Sequence, residues 1–78
     1  MTFVDFVQAN SAGHNLKERI ALRWLVRRCR RDADFAAAFE EEVVNQLVTH
    51  QGKIDWSKID WAEVAKIVLM ILAAFGVL

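Results

Sequence analysis

Residues 64–78 read Val64-Ala65-Lys66-Ile67-Val68-Leu69-Met70-Ile71-Leu72-Ala73-Ala74-Phe75-Gly76-Val77-Leu78, and Lys66 is their only charge. Chain ends ordinarily fray into water. An apolar stretch this long is expected instead to be covered by a core, by sister chains or by lipid. Asp60, Glu63 and Lys66 recur every three residues and form a narrow polar face, which continues as Met70, Ala73 and Ala74. The opposite side is broad and apolar: Ile59, Val64, Ile67, Val68, Ile71, Leu72, Phe75 and Leu78. A helix that is apolar all round at one end belongs inside a bundle or in lipid.

Length separates these two environments. Val64 to Leu78 spans about 22 Å as a helix, against about 30 Å for a hydrocarbon core. Extending back to Trp61 gives about 27 Å, and only by including Glu63 and Lys66. Burial in a helical bundle or oligomer is the first expectation. Insertion or shallow embedding in a membrane is the second, with Lys66 snorkelling and Trp61 at the interface. The face that meets partner or lipid is then Trp61, Val64, Ile67, Val68, Ile71, Leu72, Phe75 and Leu78.

Upstream lies a tandem repeat, Lys53-Ile54-Asp55-Trp56 and Lys58-Ile59-Asp60-Trp61, joined by Ser57. With Ser57 as N-cap, Asp60 takes the third helical position, and Trp56 and Trp61 occupy the staple positions on either side of the cap. This predicts a C-terminal helix over 57–77. A second helix is predicted over 34–51, capped by Asp34 or alternatively Asp32 and stopped by Gly52. Phe35, Phe39, Val43, Leu47 and His50 share one of its sides. A basic helix is predicted over 16–31, with Asn15 as N-cap and Glu18 three residues on.

Residues 3–8 read as a short amphipathic segment, followed by loop chemistry from Ala9 to His14. Neither Gly nor Pro separates the basic helix from the next, so one continuous helix competes with a hairpin; Asp32 and Asp34 favour the break. The chain has no proline and three glycines, which favours helices throughout. The fold class is all-α: one domain over 1–78, a helical hairpin plus a hydrophobic C-terminal helix, oligomeric or part of a larger assembly.

Composition supports the assembly expectation. Of 78 residues, 55% are hydrophobic, more than so small an interior holds. Ten basic and ten acidic residues balance, so no net field selects nucleic acid or an anionic surface. A lone cysteine, Cys29, excludes an internal disulfide framework. The first residues lack the basic and apolar regions of a cleavable signal, which points to an intracellular, virion or membrane-peripheral setting.

The basic helix carries Lys17, Arg19, Arg23, Arg27, Arg28, Arg30 and Arg31 against one acid, Glu18. Arg19, Arg23, Arg27 and Arg30 form a stripe that suits an anion or partner surface. A hairpin brings Asp32, Asp34, Glu40, Glu41 and Glu42 close, so local cancellation of the stripe is the leading expectation. Leu22, Leu25, Val26 and Cys29 make one apolar strip and Leu16, Ile20 and Trp24 another, so this helix is expected to meet two neighbours. Cys29 is expected to act as a small buried hydrophobe.

No metal-chelating spacing links His14, His50 and Cys29, and no nucleophile–base arrangement stands out, so neither catalysis nor a cofactor is expected. The expected role is that of a non-catalytic assembly protein, such as a small accessory subunit of a larger complex or viral particle. It would dock a second copy or another protein through its C-terminal helix. A membrane-associated protein is the alternative, and nucleic-acid binding through the arginines comes third.

Overall fold

The structure is a computed structural model that describes residues 1–47 and 54–78. Four α-helices account for most of it: α1 (Phe3–Asn10), α2 (Leu16–Arg31), α3 (Ala33–Gln46) and α4 (Trp61–Ala74). Short 3-10 turns lie at Ser11–Gly13 and Trp56–Lys58. Each α-helix opens on a polar side chain that accepts an otherwise orphaned N–H. Thr2 takes that of Asp5 at 3.1 Å, Asn15 that of Glu18 at 2.9 Å, Asp32 that of Phe35 at 3.1 Å and Asp60 that of Ala62 at 3.1 Å.

The all-helical class and the basic helix over 16–31 stand as predicted. Other boundaries differ. The N-terminal segment is a helix in its own right, reaching Asn10, so the α-helices among the described residues number four rather than three. Its Phe3, Phe6 and Val7 are buried. The basic and acidic helices are not continuous. Asp32 adopts an extended conformation (φ −139°, ψ 99°), ends α2 and caps α3. The acidic helix therefore starts at Ala33, and it stops at Gln46 rather than 51, where Leu47 turns out of helical geometry and is buried. The predicted stop at Gly52 and the inward position of His50 lie outside the described residues.

The C-terminal helix starts at Trp61, not at Ser57. Ser57 sits inside the 3-10 turn, where Asp55 accepts its N–H at 3.1 Å and its hydroxyl as well. Ile59 and Asp60 are extended and separate that turn from α4. Each half of the tandem repeat is thus a capping unit, with an aspartate followed by a tryptophan that opens a turn. The staple positions pass to Ile59 and Val64. Asp60→Ala is expected to cost about 0.5–2 kcal/mol, and Ser57→Ala less, in urea titrations followed by circular dichroism. The reverse order would restore the earlier start.

The far end of α4 closes by a Schellman motif. Val77 N–H bonds Leu72 C=O and Gly76 N–H bonds Ala73 C=O, both at 3.0 Å. Gly76 holds φ +81°, which its missing Cβ permits. This turn folds Val77 and Leu78 back against the core, where both are half-buried.

All four helices feed one core. Leu22 and Leu25 of α2, Val43 of α3, and Val64, Val68 and Leu72 of α4 are essentially inaccessible. The repeat supplies an aromatic layer beside them. Phe6 lies between Trp56 and Trp61, at 5.4 and 5.5 Å between ring centroids, and Trp56 also meets Phe3 at 5.0 Å. Both indole N–H groups are satisfied, that of Trp56 by Glu40 at 3.3 Å and that of Trp61 by His14 Nε2 at 2.9 Å. His14 Nδ1 in turn lies 3.2 Å from Glu18, so a neutral imidazole with its hydrogen on Nδ1 serves both neighbours. The radius of gyration, 11.6 Å, matches the ~11.5 Å of a closed 78-residue globule, so α4 is folded in rather than projecting.

Candidate docking surface

The eight residues expected to meet a partner or lipid divide into two groups. Val64, Val68, Ile71 and Leu72 are buried in the chain's own core, and Trp61, Ile67 and Leu78 are half-buried against it. Phe75 alone is largely free, at 55% exposure. This chain itself covers most of the broad apolar side of α4. No helix among the described residues is long and apolar enough to cross a membrane.

An uncovered surface remains where α4 meets α3. A groove of about 570 Å³ runs between them, walled by Phe35, Ala38, Phe39, Glu42 and Gln46 on α3 and by Met70, Ile71, Ala74 and Phe75 on α4. Phe75 anchors one end, with its ring 6.3 Å from Phe35 and 6.1 Å from Phe39. Phe75 is the C-cap of α4, next to the Schellman glycine. Met70 is 54% exposed on the same wall. In sequence, Met70 and Ala74 fall on the weak continuation of the polar face, and nothing there points to α3 as part of a docking surface. Their helical spacing was visible, but the neighbour that makes them one wall of a groove was not.

The arginine stripe lies on the outer side of α2, and Arg19, Arg23, Arg27 and Arg30 are all exposed. Among the described residues no acid of α3 forms an ion pair with an arginine; Arg28 lies 3.5 Å from Asp32, the residue between the two helices, and stacks over Phe35 at 4.9 Å. Arg30 turns to α1 instead, pairing with Asp5 at 3.5 Å and bonding Gln8. The Thr2 cap, helped by Arg30, holds the Asp5 carboxyl below the usual carboxylate range. No ion pair engages Arg19, Arg23, Arg27 or Arg31 among the described residues. Glu40 instead accepts from Trp56, and Glu41 and Glu42 are exposed on α3 with no ion pair among the described residues.

The second apolar strip of α2 is also only partly used. Trp24 packs edge-on against Phe35 at 6.1 Å, whereas Leu16 and Ile20 are 64% and 55% exposed. The first strip behaves as expected, with Leu22, Leu25 and Cys29 buried and Val26 half-buried.

Burial pushes the Cys29 thiol up to about 11, with Asp32 and Glu40 adding to the effect. Arg28 and Arg30 point elsewhere and do not activate it. Because the folded value lies above that of a free thiol, its contribution to stability is intact at neutral pH. That contribution falls as pH rises from about 8.5 towards about 11. Alkylation of the native chain at mildly alkaline pH is expected to be about 100-fold or more slower than in urea. Equal rates would place the thiol at the surface.

Among the described residues no group of three or more His, Cys, Asp or Glu side chains could hold a metal ion. No protein-family model matches this chain, and neither does any curated protein or solved structure.

Proposed function

We propose that this protein is a non-catalytic assembly protein that docks a protein partner through the groove between α3 and α4. The carrying observation is the groove itself, with three phenylalanines, Met70 and Ala74 lining a cleft whose outer wall is left in water. Exposed apolar surface that is continuous and rimmed by polar groups is the usual mark of an interaction site. Met70 suits an adaptable contact, and Phe75 supplies a large aromatic anchor of the kind that dominates interface energetics. The inner face of α4 serves the core, so docking uses the edge of this helix rather than its whole apolar side. A role as a small accessory subunit of a larger complex fits such a surface.

Peripheral attachment to an anionic membrane is the second reading. It is favoured by one observation, the exposed Leu16 and Ile20 beside Arg19, Arg23 and Arg27, which have no ion-pair partner among the described residues. Sizing the purified chain with and without mild detergent, beside vesicle flotation, separates the two. The expected result is detergent-independent association that Met70→Asp with Phe75→Asp removes while helicity is unchanged. Flotation with anionic vesicles, whether high salt or only detergent reverses it, in place of association between chains contradicts the proposal, as does association indifferent to the paired substitution.

A further inference from the structure

We infer that the groove's occupant is the outer face of α2 from a second copy of this chain, joined head to tail; the inference rests on the groove reading above. Four of the five large hydrophobics exposed among the described residues fall on just these two surfaces. Leu16 and Ile20 form a ridge on α2, and Met70 and Phe75 wall the groove. Leu16 and Ile20 stand one helical turn apart, the spacing at which side chains form a ridge that enters a groove between helices.

Charge decides the pairing. Arg19, Arg23 and Arg27 flank the ridge without an ion-pair partner among the described residues. Helix α3 carries Asp34, Glu40, Glu41 and Glu42 and no lysine or arginine; Glu42 lines the groove, and Asp34 and Glu41 are exposed. A basic apolar ridge therefore meets an apolar groove whose one lining charge is the acidic Glu42, on a helix with no basic residue, and opposed charges both steer and orient such an encounter. Groove against groove would oppose Glu42 to Glu42, and ridge against ridge would oppose arginine to arginine. An anionic lipid layer suits the ridge but is repelled by the groove's rim.

One molecule cannot fill its own groove, because Leu16 and Ile20 lie on the side of α2 opposite the buried Leu22, Leu25 and Cys29. Contacts between unlike faces leave a free ridge at one end and a free groove at the other. Such assembly continues as an open chain or closes as a ring.

The test uses two double variants of the full chain, Leu16→Asp/Ile20→Asp for the ridge and Met70→Asp/Phe75→Asp for the groove, in sedimentation velocity. Wild type is expected to show a concentration-dependent series of species that shrinks as salt rises. Each variant alone is expected to associate at least about 30-fold more weakly. Their mixture is expected to form a one-to-one dimer and nothing larger, because each retains one intact face. Arg23→Glu/Arg27→Glu tests the ridge by charge alone, and circular dichroism verifies that every variant is folded. If the ridge variants associate like wild type while the groove variant does not, the self-docking inference falls and the groove reading stands. If the groove variant also associates like wild type, both fall. A wild-type chain that stays monomeric at millimolar concentration overturns self-docking and leaves the groove to a different protein.

Discussion

Leu72→Asp is expected to abolish cooperative folding, whereas Ala73→Asp leaves stability within about 0.5 kcal/mol of wild type. The two positions are adjacent and differ in facing. Leu72 is fully inaccessible, at the centre of the α4 contribution to the core, and Ala73 is exposed. A carboxylate at position 72 must either lose its charge or remain unpaired in an apolar interior, which costs several kcal/mol. A domain of this length has only about 4–12 kcal/mol in total to lose. Urea titration followed by far-ultraviolet circular dichroism reads both variants. Similar midpoints would contradict the placement of this helix.

Trp56→Ala is expected to cost about 3–5 kcal/mol, the usual loss for a buried aromatic side chain, and Trp56→Phe distinctly less. Trp56 is 4% exposed, packs on both Phe3 and Phe6, and ties α3 to the repeat through Glu40. Its removal therefore loosens α1 as well as leaving a cavity. A loss below about 1 kcal/mol, in the same titration, would mean that α1 and the repeat are not part of the cooperative core.

These two residues also show where sequence reading succeeds and where it stops. The facing of α4 was legible because helical periodicity alone separates Leu72 from Ala73. The start of α2 was legible because Asn15 and Glu18 act within one turn of chain. The start of α4 was not, since Ser57 and Asp60 are both competent caps. Tertiary packing chooses between them: Trp56 must reach under Phe3 and Phe6, and the extended Ile59 and Asp60 allow that. Likewise Phe3, Phe6 and Val7 form too short a segment to carry weight by pattern, yet all three are buried.

The docking surface was half legible. The apolar residues of α4 were evident, but which of them the chain covers depends on where α3 lies. That same arrangement left Arg19, Arg23 and Arg27 without the acidic partners that proximity in sequence suggested.

Amide hydrogen exchange of the dilute monomer tests the central claim most directly, namely that α4 belongs to the chain's own core and only its outer edge is left for docking. The account expects the amides from Val68 to Leu72 to exchange only through global unfolding in the monomer, with association adding protection chiefly along α2 and the groove. Rapid exchange throughout α4 in the monomer, with protection gained only on association or on addition of lipid, would contradict it.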